Sequence, residues 1–171
     1  MERARQLLGD LLIAVTLVVV VVGVYLGTHY EISDEVVPYD GAYTPLAGVM
    51  MPRAYESVLT LSFDVSGGLL LRQLHHQYGT ILLVGLVIWA VLGRFRYALP
   101  AFGLALAAAF SGWQLGEGNP PVALWFAGHL AATLAMVTVL VVSSRREARE
   151  KPISVGYVAG VLGLLVALAI F

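Results

Sequence analysis

The sequence predicts an all-α integral membrane protein with five transmembrane helices. Three observations support this fold class: 59% of the 171 residues are hydrophobic, only 12% are charged, and five apolar runs divide the chain. Each run is close to the ~20 residues that a helix needs to cross a bilayer. The runs lie at about 7–27, 68–92, 99–116, 121–143 and 153–171. We expect the helices of the first four runs to pack as one bundle.

The first run contains the valine-rich segment Val18 to Val22. Valine favours strands in soluble proteins, but a lone strand in lipid would leave its backbone groups unpaired, so the length of the run indicates a helix. Because the run is long enough to span and no small-residue cleavage site ends it, we do not expect a signal peptide. Gly9 and Gly23 are about four turns apart and share one face. Glycine pairs on membrane helices mark helix packing more often than a cofactor.

The basic residues predict the orientation in the membrane. They are concentrated before the first run, between the second and third, and between the fourth and fifth: Arg3, Arg5, Arg94, Arg96, Arg145, Arg146, Arg149 and Lys151. Segments rich in arginine and lysine stay on the cytoplasmic side. We therefore expect a multi-pass protein of the cell membrane with a cytoplasmic N-terminus and an extracytoplasmic C-terminus.

The connection from 28 to 67 is long and acidic, which places it outside. It carries six carboxylates against Arg53 alone: Glu31, Asp34, Glu35, Asp40, Glu56 and Asp64. The part from Tyr55 to Ser62 has helical amphipathy and is predicted to lie along the membrane interface. Three prolines interrupt the rest, and such a surface could dock a partner or simply cover the bundle.

The third, fourth and fifth apolar runs complete the chain. The third run begins at Pro100, a residue that starts helices well. A tight turn from Gly116 to Pro121 leads into the fourth run, and the fifth run carries no charged residue. The chain therefore divides into 1–145, a four-helix bundle with its extracytoplasmic loop, and 146–171, a cytoplasmic basic segment with an additional transmembrane helix.

Composition excludes several kinds of site. There is no cysteine, so disulfides, thiolate-held iron–sulfur clusters and covalent c-type haem attachment are excluded. The net charge of −1 argues against a nucleic-acid partner.

The second run begins with ionisable residues, which are costly to place in lipid and therefore indicate a functional site. Arg72, His75 and Gly79 stand at i, i+3 and i+7, so a helix places them on one face. An imidazole can ligate haem iron, a guanidinium can neutralise a propionate, and a glycine lets the flat macrocycle approach the backbone. The alternative for Arg72 is that it reaches the outer interface and contacts lipid phosphate.

A second histidine, His129, lies in the fourth run beside Ala127 and Gly128. Two histidines on two helices could clamp one non-covalent b-type haem. The alternative is that His75 and His129 are interior histidines hydrogen-bonded to helix backbones. His76 is the rival ligand on its helix, but it is rotated about 100° from the Arg72 face.

Four segments in order resemble the N-terminal, haem-bearing half of the cytochrome b family of bc-type quinol:cytochrome oxidoreductases. Gly23 to Tyr30 is similar to the end of that family's first helix, and Ala54 to His75 resembles the approach to its second. The spacing of Gly9 and Gly23 is the family's glycine spacing, and Ala109 to Gly112 resembles the outer glycine of its third helix.

The resemblance implies a shortened form that keeps only the outer-face haem site. The family holds two haems through histidine pairs fourteen residues apart on the second and fourth helices. Here Trp89 and Ser143 stand fourteen residues after His75 and His129, and Ala98 replaces the inner glycine of the third helix. The outer site keeps five residues that the resemblance assigns to haem: His75, His129, Arg72, Gly23 and Gly112. We expect one haem, with its iron ~10 Å below the outer helix ends, near the extracytoplasmic face.

The resemblance also sets the functional expectation. We expect a cytochrome subunit, not an enzyme on its own, that transfers electrons between membrane quinol and an extracytoplasmic iron–sulfur, molybdenum or c-type cytochrome subunit of a respiratory complex. The family's quinol motif after the third helix is replaced by Leu115 to Gly118. Glu117 and Asp64 have the depth to accept quinol protons, although loop carboxylates are usually just solvated. The alternative is a structural subunit that anchors a larger redox complex.

Overall fold

A computed structural model describes residues 2–93 and 95–150, together with 159, 160 and 163. Its helices are α1 (Glu2–Gly27), α2 (Arg53–Phe63), α3 (Gly68–Val91), α4 (Phe95–Gly116) and α5 (Val122–Glu150). Two short strands, β1 (Val36–Pro38) and β2 (Met50–Pro52), flank a single 3₁₀ turn at Thr44–Leu46. The fifth predicted transmembrane run, 153–171, lies outside the described residues apart from those three positions.

Four of the described helices are long and apolar enough to cross a membrane. The spans are Ala4–Gly27, Gly68–Val91, Arg96–Gly116 and Val122–Arg146. They pack as a closed ring in which α1 contacts α3 and α5, and α4 contacts α3 and α5. The predicted four-helix bundle is therefore confirmed, with each of its four membrane helices where an apolar run predicted one.

Residues 28–67, which we name the cap, cover one end of the bundle. The amphipathic helix predicted from Tyr55 to Ser62 is confirmed, since α2 spans it with one or two residues to spare. The all-α prediction missed the antiparallel pairing of β1 with β2, in which Val36 lies opposite Pro52. The strands are three residues each and end in proline, so they carry no alternating pattern long enough to read as strands.

Two side chains fasten the cap to α4 and α5. The Tyr30 hydroxyl donates to the Leu115 carbonyl at 3.1 Å, and the Asp34 carboxylate accepts from the Val122 backbone N–H at 2.9 Å. Burial, with Asp34 nearby, raises the pKa of Tyr30 to about 12, so its hydroxyl stays protonated as a donor. The Asp34 bond satisfies an N–H that the first turn of α5 leaves without a helical partner.

Two helix ends differ from the sequence prediction. Pro100 was expected to begin the third run, but α4 begins at Phe95 and contains Pro100 in its interior. Membrane helices tolerate such a proline because neighbouring groups can satisfy the carbonyl that it leaves free. The fourth run was expected to end near 143, whereas α5 continues through Glu150, because charged residues can extend a helix beyond the lipid.

The main core lies in the half of the bundle away from the cap. We name that end, where Arg96, Arg145 and Arg146 lie, the basic end. All four membrane helices contribute to its core, which comprises Leu12, Val15, Leu82, Leu86, Trp89, Ala98, Ala101, Ala105, Met136 and Leu140. Alanines on α4 let the larger side chains of the facing helices fill the interior, as small residues do at membrane helix contacts.

Candidate functional site

His75 and His129 face each other across the cap half of the bundle. Their ring centroids are 6.2 Å apart and their planes are inclined by 51°. His75 lies seven residues inside the start of α3, and His129 lies seven residues inside the start of α5. Both helices start at the cap, so the two imidazoles lie at one depth, ~10 Å from the helix ends at 1.5 Å per residue.

Each imidazole is oriented by a backbone carbonyl of a neighbouring helix, α1 for His75 and α4 for His129. His75 Nδ1 lies 3.1 Å from the Val19 carbonyl oxygen on α1, and His129 Nδ1 lies 2.8 Å from the Ala108 carbonyl oxygen on α4. A carbonyl only accepts, so each Nδ1 carries the proton and each Nε2 keeps a free lone pair. Metal-ligating histidines normally donate their other ring N–H in this way. Sequence reasoning missed Val19 and Ala108 because a backbone acceptor has no side-chain signature.

Two glycines make room for these imidazoles. A Cβ on Gly23 would lie 2.9 Å from His75 Cε1, and a Cβ on Gly112 would lie 3.1 Å from His129 Cε1. Gly23 lies four residues after Val19, and Gly112 lies four residues after Ala108. One helical turn separates each glycine from the carbonyl, so the missing side chain leaves room for the ring to reach that carbonyl. The resemblance assigns both glycines to the haem site; in the structure their immediate neighbours are the histidine rings.

Gly79 lies one turn from His75 toward the basic end, on the same face of α3. A Cβ there would meet no atom within 4 Å. No described side chain therefore packs against α3 at this position.

Arg72 lies one turn from His75 on the cap side. Its Nη1 donates to the Ser62 hydroxyl of α2 at 3.3 Å, and that hydroxyl donates in turn to the Val58 carbonyl at 2.7 Å. Arg72 thus connects the histidine helix to the cap. Sequence reasoning placed Arg72 beside His75 but did not identify Ser62, whose role depends on how α2 folds back over α3.

The rival ligand His76 is exposed on α3. Its ring centroid lies 6.3 Å from that of His75 with the planes at 85°, and it has no described ring contact with His129. The facing pair is therefore His75 with His129. Of the two loop carboxylates, Asp64 is exposed and accepts from the Ala42 N–H at 3.0 Å, and Glu117 is exposed at the cap end.

The donor set fits haem. Within the described residues no group of three or more histidine, cysteine, aspartate or glutamate side chains could hold a metal ion. Two imidazoles suffice for haem because the macrocycle supplies four nitrogens and needs only axial ligands. Two imidazoles that hold one metal ion from opposite sides, each with a metal–nitrogen bond of about 2 Å, would have their ring centres about 6 Å apart. The 6.2 Å between His75 and His129 agrees with that spacing.

The corresponding positions toward the basic end are filled by core side chains. Trp89 is 1% exposed and Ser143 is fully buried, and a Cβ on Gly9 would touch the Trp89 indole at 3.4 Å. Trp89 Nε1 and Ser143 Oγ have no hydrogen-bond partner among the described residues. The chain's four histidines are His29, His75, His76 and His129, so none is left to ligate a group in this half.

Comparison with known proteins points to one kind of protein, although no family model matches the chain. The cytochrome bc1 complex cytochrome b subunit of Corynebacterium diphtheriae is 43% identical over 123 residues, which cover 65% of this chain and 23% of that protein. The subunit of the same name from Mycobacterium tuberculosis is 34% identical over 164 residues, covering 75% of this chain and 30% of its own length. That of Mycobacterium leprae is 47% identical over 70 residues. The chain spans less than a third of the length of these relatives.

Proposed function

The chain belongs to the cytochrome b family, and on that premise we propose that it is a membrane-bound b-type cytochrome subunit with a single haem held between His75 and His129. The observation that carries the proposal is the pair of facing imidazoles, each with Nδ1 on a backbone carbonyl and Nε2 free. The absence of cysteine from the chain leaves non-covalent attachment as the way to hold the haem.

The protein's own groups determine how the haem is held. His75 and His129 would hold the haem iron through Nε2, and Gly23 and Gly112 keep their rings seated on the carbonyls of Val19 and Ala108. Such partners fix the tautomer and ring orientation of a ligating histidine. Arg72, on the cap side, would neutralise a propionate, and Gly79, which has no side chain, would let the macrocycle approach α3. When bound, the haem supplies reversible one-electron chemistry.

We further propose that the subunit transfers electrons between membrane quinol and an extracytoplasmic redox partner in a respiratory complex, such as an iron–sulfur, molybdenum or c-type cytochrome subunit. Two features support electron exchange on the extracytoplasmic side. The histidine pair lies at the capped end, and the cap carries the acidic excess that the positive-inside rule places outside. The packed core around Trp89 and Leu86 fills the other half of the bundle, which supports a single haem with electron exchange on the cap side.

The competing role is that of a structural anchor without redox activity. It would require the His75 and His129 rings to serve packing alone. Against it stands the arrangement of the two rings, which face each other 6.2 Å apart with each Nδ1 on a backbone carbonyl and each Nε2 left as an acceptor.

Redox titration of the purified subunit in lipid nanodiscs tests the proposal. We expect the oxidised haem to give a low-spin bis-imidazole spectrum. A quinol analogue should reduce the haem, and an oxidised partner subunit from its complex should reoxidise it. A haem that neither a quinol analogue nor any partner of the complex reduces would contradict electron transfer. A subunit without haem would establish the structural role.

A further inference from the structure

A cluster of cationic side chains lies at the basic end, far from the histidines. Tyr97 in the first turn of α4 is contacted by Arg96 from its own helix and by Arg146 from α5. Each guanidinium carbon lies 5.9 Å from the Tyr97 ring centroid. Arg146 Nη1 also donates to the Tyr97 hydroxyl at 2.8 Å. One aromatic ring therefore holds two guanidinium groups from two helices in one place.

These arginines keep most of their hydrogen-bonding capacity. Arg96, Arg145 and Arg146 are all exposed. Within the described part of the chain none of them pairs with a carboxylate, in contrast to Arg53 in the cap, whose Nε lies 3.1 Å from Glu35. A guanidinium has five N–H donors, and Arg146 spends one of them on Tyr97. Two like charges at one ring repel each other weakly in solvent, and an anion bound between them would remove that repulsion.

The position of the cluster indicates which anion. Arg96 and Arg146 are the terminal residues of two membrane spans, Arg96–Gly116 and Val122–Arg146, so their guanidinium groups lie at the level of the lipid headgroups. The planar fork of arginine matches a phosphate bidentately. Anionic lipids attract basic residues at this boundary, and basic pockets between membrane helices bind their headgroups.

We propose that Arg96, Tyr97 and Arg146 form a binding site for the phosphate of an anionic phospholipid. Tyr97 orients the two guanidinium groups, which contact the headgroup, and Arg145 adds long-range attraction. The lipid thereby joins the first turn of α4 to the last turns of α5 and stabilises the basic end of the bundle. This site is independent of the haem.

The test measures lipid bound to the intact protein by native mass spectrometry and its affinity by titration in mild detergent. Phosphatidylglycerol is the anionic probe, and phosphatidylcholine is the zwitterionic one. We expect one tightly held phosphatidylglycerol per chain and no comparable phosphatidylcholine. At about fivefold per arginine, the double variant R96Q/R146Q should bind about 25-fold more weakly. Tyr97→Phe, which keeps the ring and removes the acceptor of Arg146, should lose about fivefold.

Controls separate this site from general charge effects. Arg53→Gln removes one exposed cation from the cap and should leave the affinity unchanged. Binding should weaken as salt is raised, because screening acts on exposed charges. Equal lipid retention by R96Q/R146Q and the wild type, or an equal loss in Arg53→Gln, would overturn the proposal. Displacement of the lipid by millimolar inorganic phosphate would also overturn it, because the site would then bind free phosphate.

Discussion

The two halves of this bundle are built from the same four helices, but different side chains line their interiors. In the cap half, His75 and His129 face each other with their ring centroids 6.2 Å apart. In the other half, Trp89 and Ser143 occupy the matching positions fourteen residues along, and both are buried. We name the half with the two facing imidazoles the open half and the half filled by buried side chains the closed half. If the proposed function holds, a few side chains rather than the helix arrangement determine which half of the bundle holds the haem.

The largest expected effect comes from removing an axial ligand. His129→Ala should abolish the low-spin bis-imidazole spectrum and most of the bound haem, because one imidazole cannot complete the axial pair. Visible absorbance and haem content per chain measure this. His76→Ala is the matched control, since His76 lies next to His75 but is exposed, and it should keep both. A normal spectrum in His129→Ala, or its loss in His76→Ala, would show that the ligands are wrongly assigned.

Substitution in the closed half should change stability and leave haem in place. Trp89→Ala removes a fully buried indole and should lower the free energy of unfolding by about 3 kcal/mol through the cavity it leaves. Chemical denaturation in detergent measures the loss. Trp89→Phe fills much of the volume and removes a buried N–H without a described partner, so it should be close to neutral. If Trp89→Ala lost its haem at unchanged stability, the two halves would not be independent.

The glycines of the open half should be sensitive where they touch an imidazole and tolerant elsewhere. Gly23→Ala places a Cβ 2.9 Å from His75 Cε1, so the ring must shift, which strains its bond to the Val19 carbonyl. Overpacking of this kind costs about 1–3 kcal/mol, and we expect haem affinity to fall at least about tenfold. Gly27→Ala on the same helix meets no atom within 4 Å and should bind haem normally. Equal affinities in the two variants would remove Gly23 from the site.

Arg72 should give the smallest change, a shift in potential rather than loss of haem. A nearby cation favours the ferrous state, which carries one positive charge fewer, so Arg72→Leu should lower the midpoint potential by roughly 60 mV, tenfold in a one-electron equilibrium. Arg72→Lys should restore only part of the shift because lysine lacks the planar fork. Potentiometric titration measures both. Unchanged potential and haem retention would leave Arg72 with only its contact to Ser62 in the cap.

The sequence predicts the parts of this molecule that depend on local pattern. Four apolar runs predicted the four membrane spans because length and hydropathy suffice for a bilayer helix. The helical spacing of Arg72, His75 and Gly79 correctly placed them on one face of α3. The start of α4 was wrong because Pro100 breaks a helix less strongly when neighbouring groups satisfy the freed carbonyl.

The parts that the sequence did not predict depend on contacts between distant segments. The Val19 and Ala108 carbonyls, which orient the two imidazoles, carry no sequence signature. Ser62 becomes a partner of Arg72 only because α2 folds over the start of α3. The pairing of β1 with β2 is too short to leave an alternating pattern. In each case the missing information is tertiary.

Haem content per chain tests the central claim most directly. The wild-type protein, purified with its lipids, should contain one haem per polypeptide by haemochrome absorbance against quantitative amino-acid analysis, with one low-spin ferric signal. A single haem agrees with an open half around His75 and His129 and a closed half around Trp89. Two haems per chain would contradict the claim that the half around Trp89 cannot hold a haem. A chain without haem would contradict the assignment of His75 and His129 as its ligands.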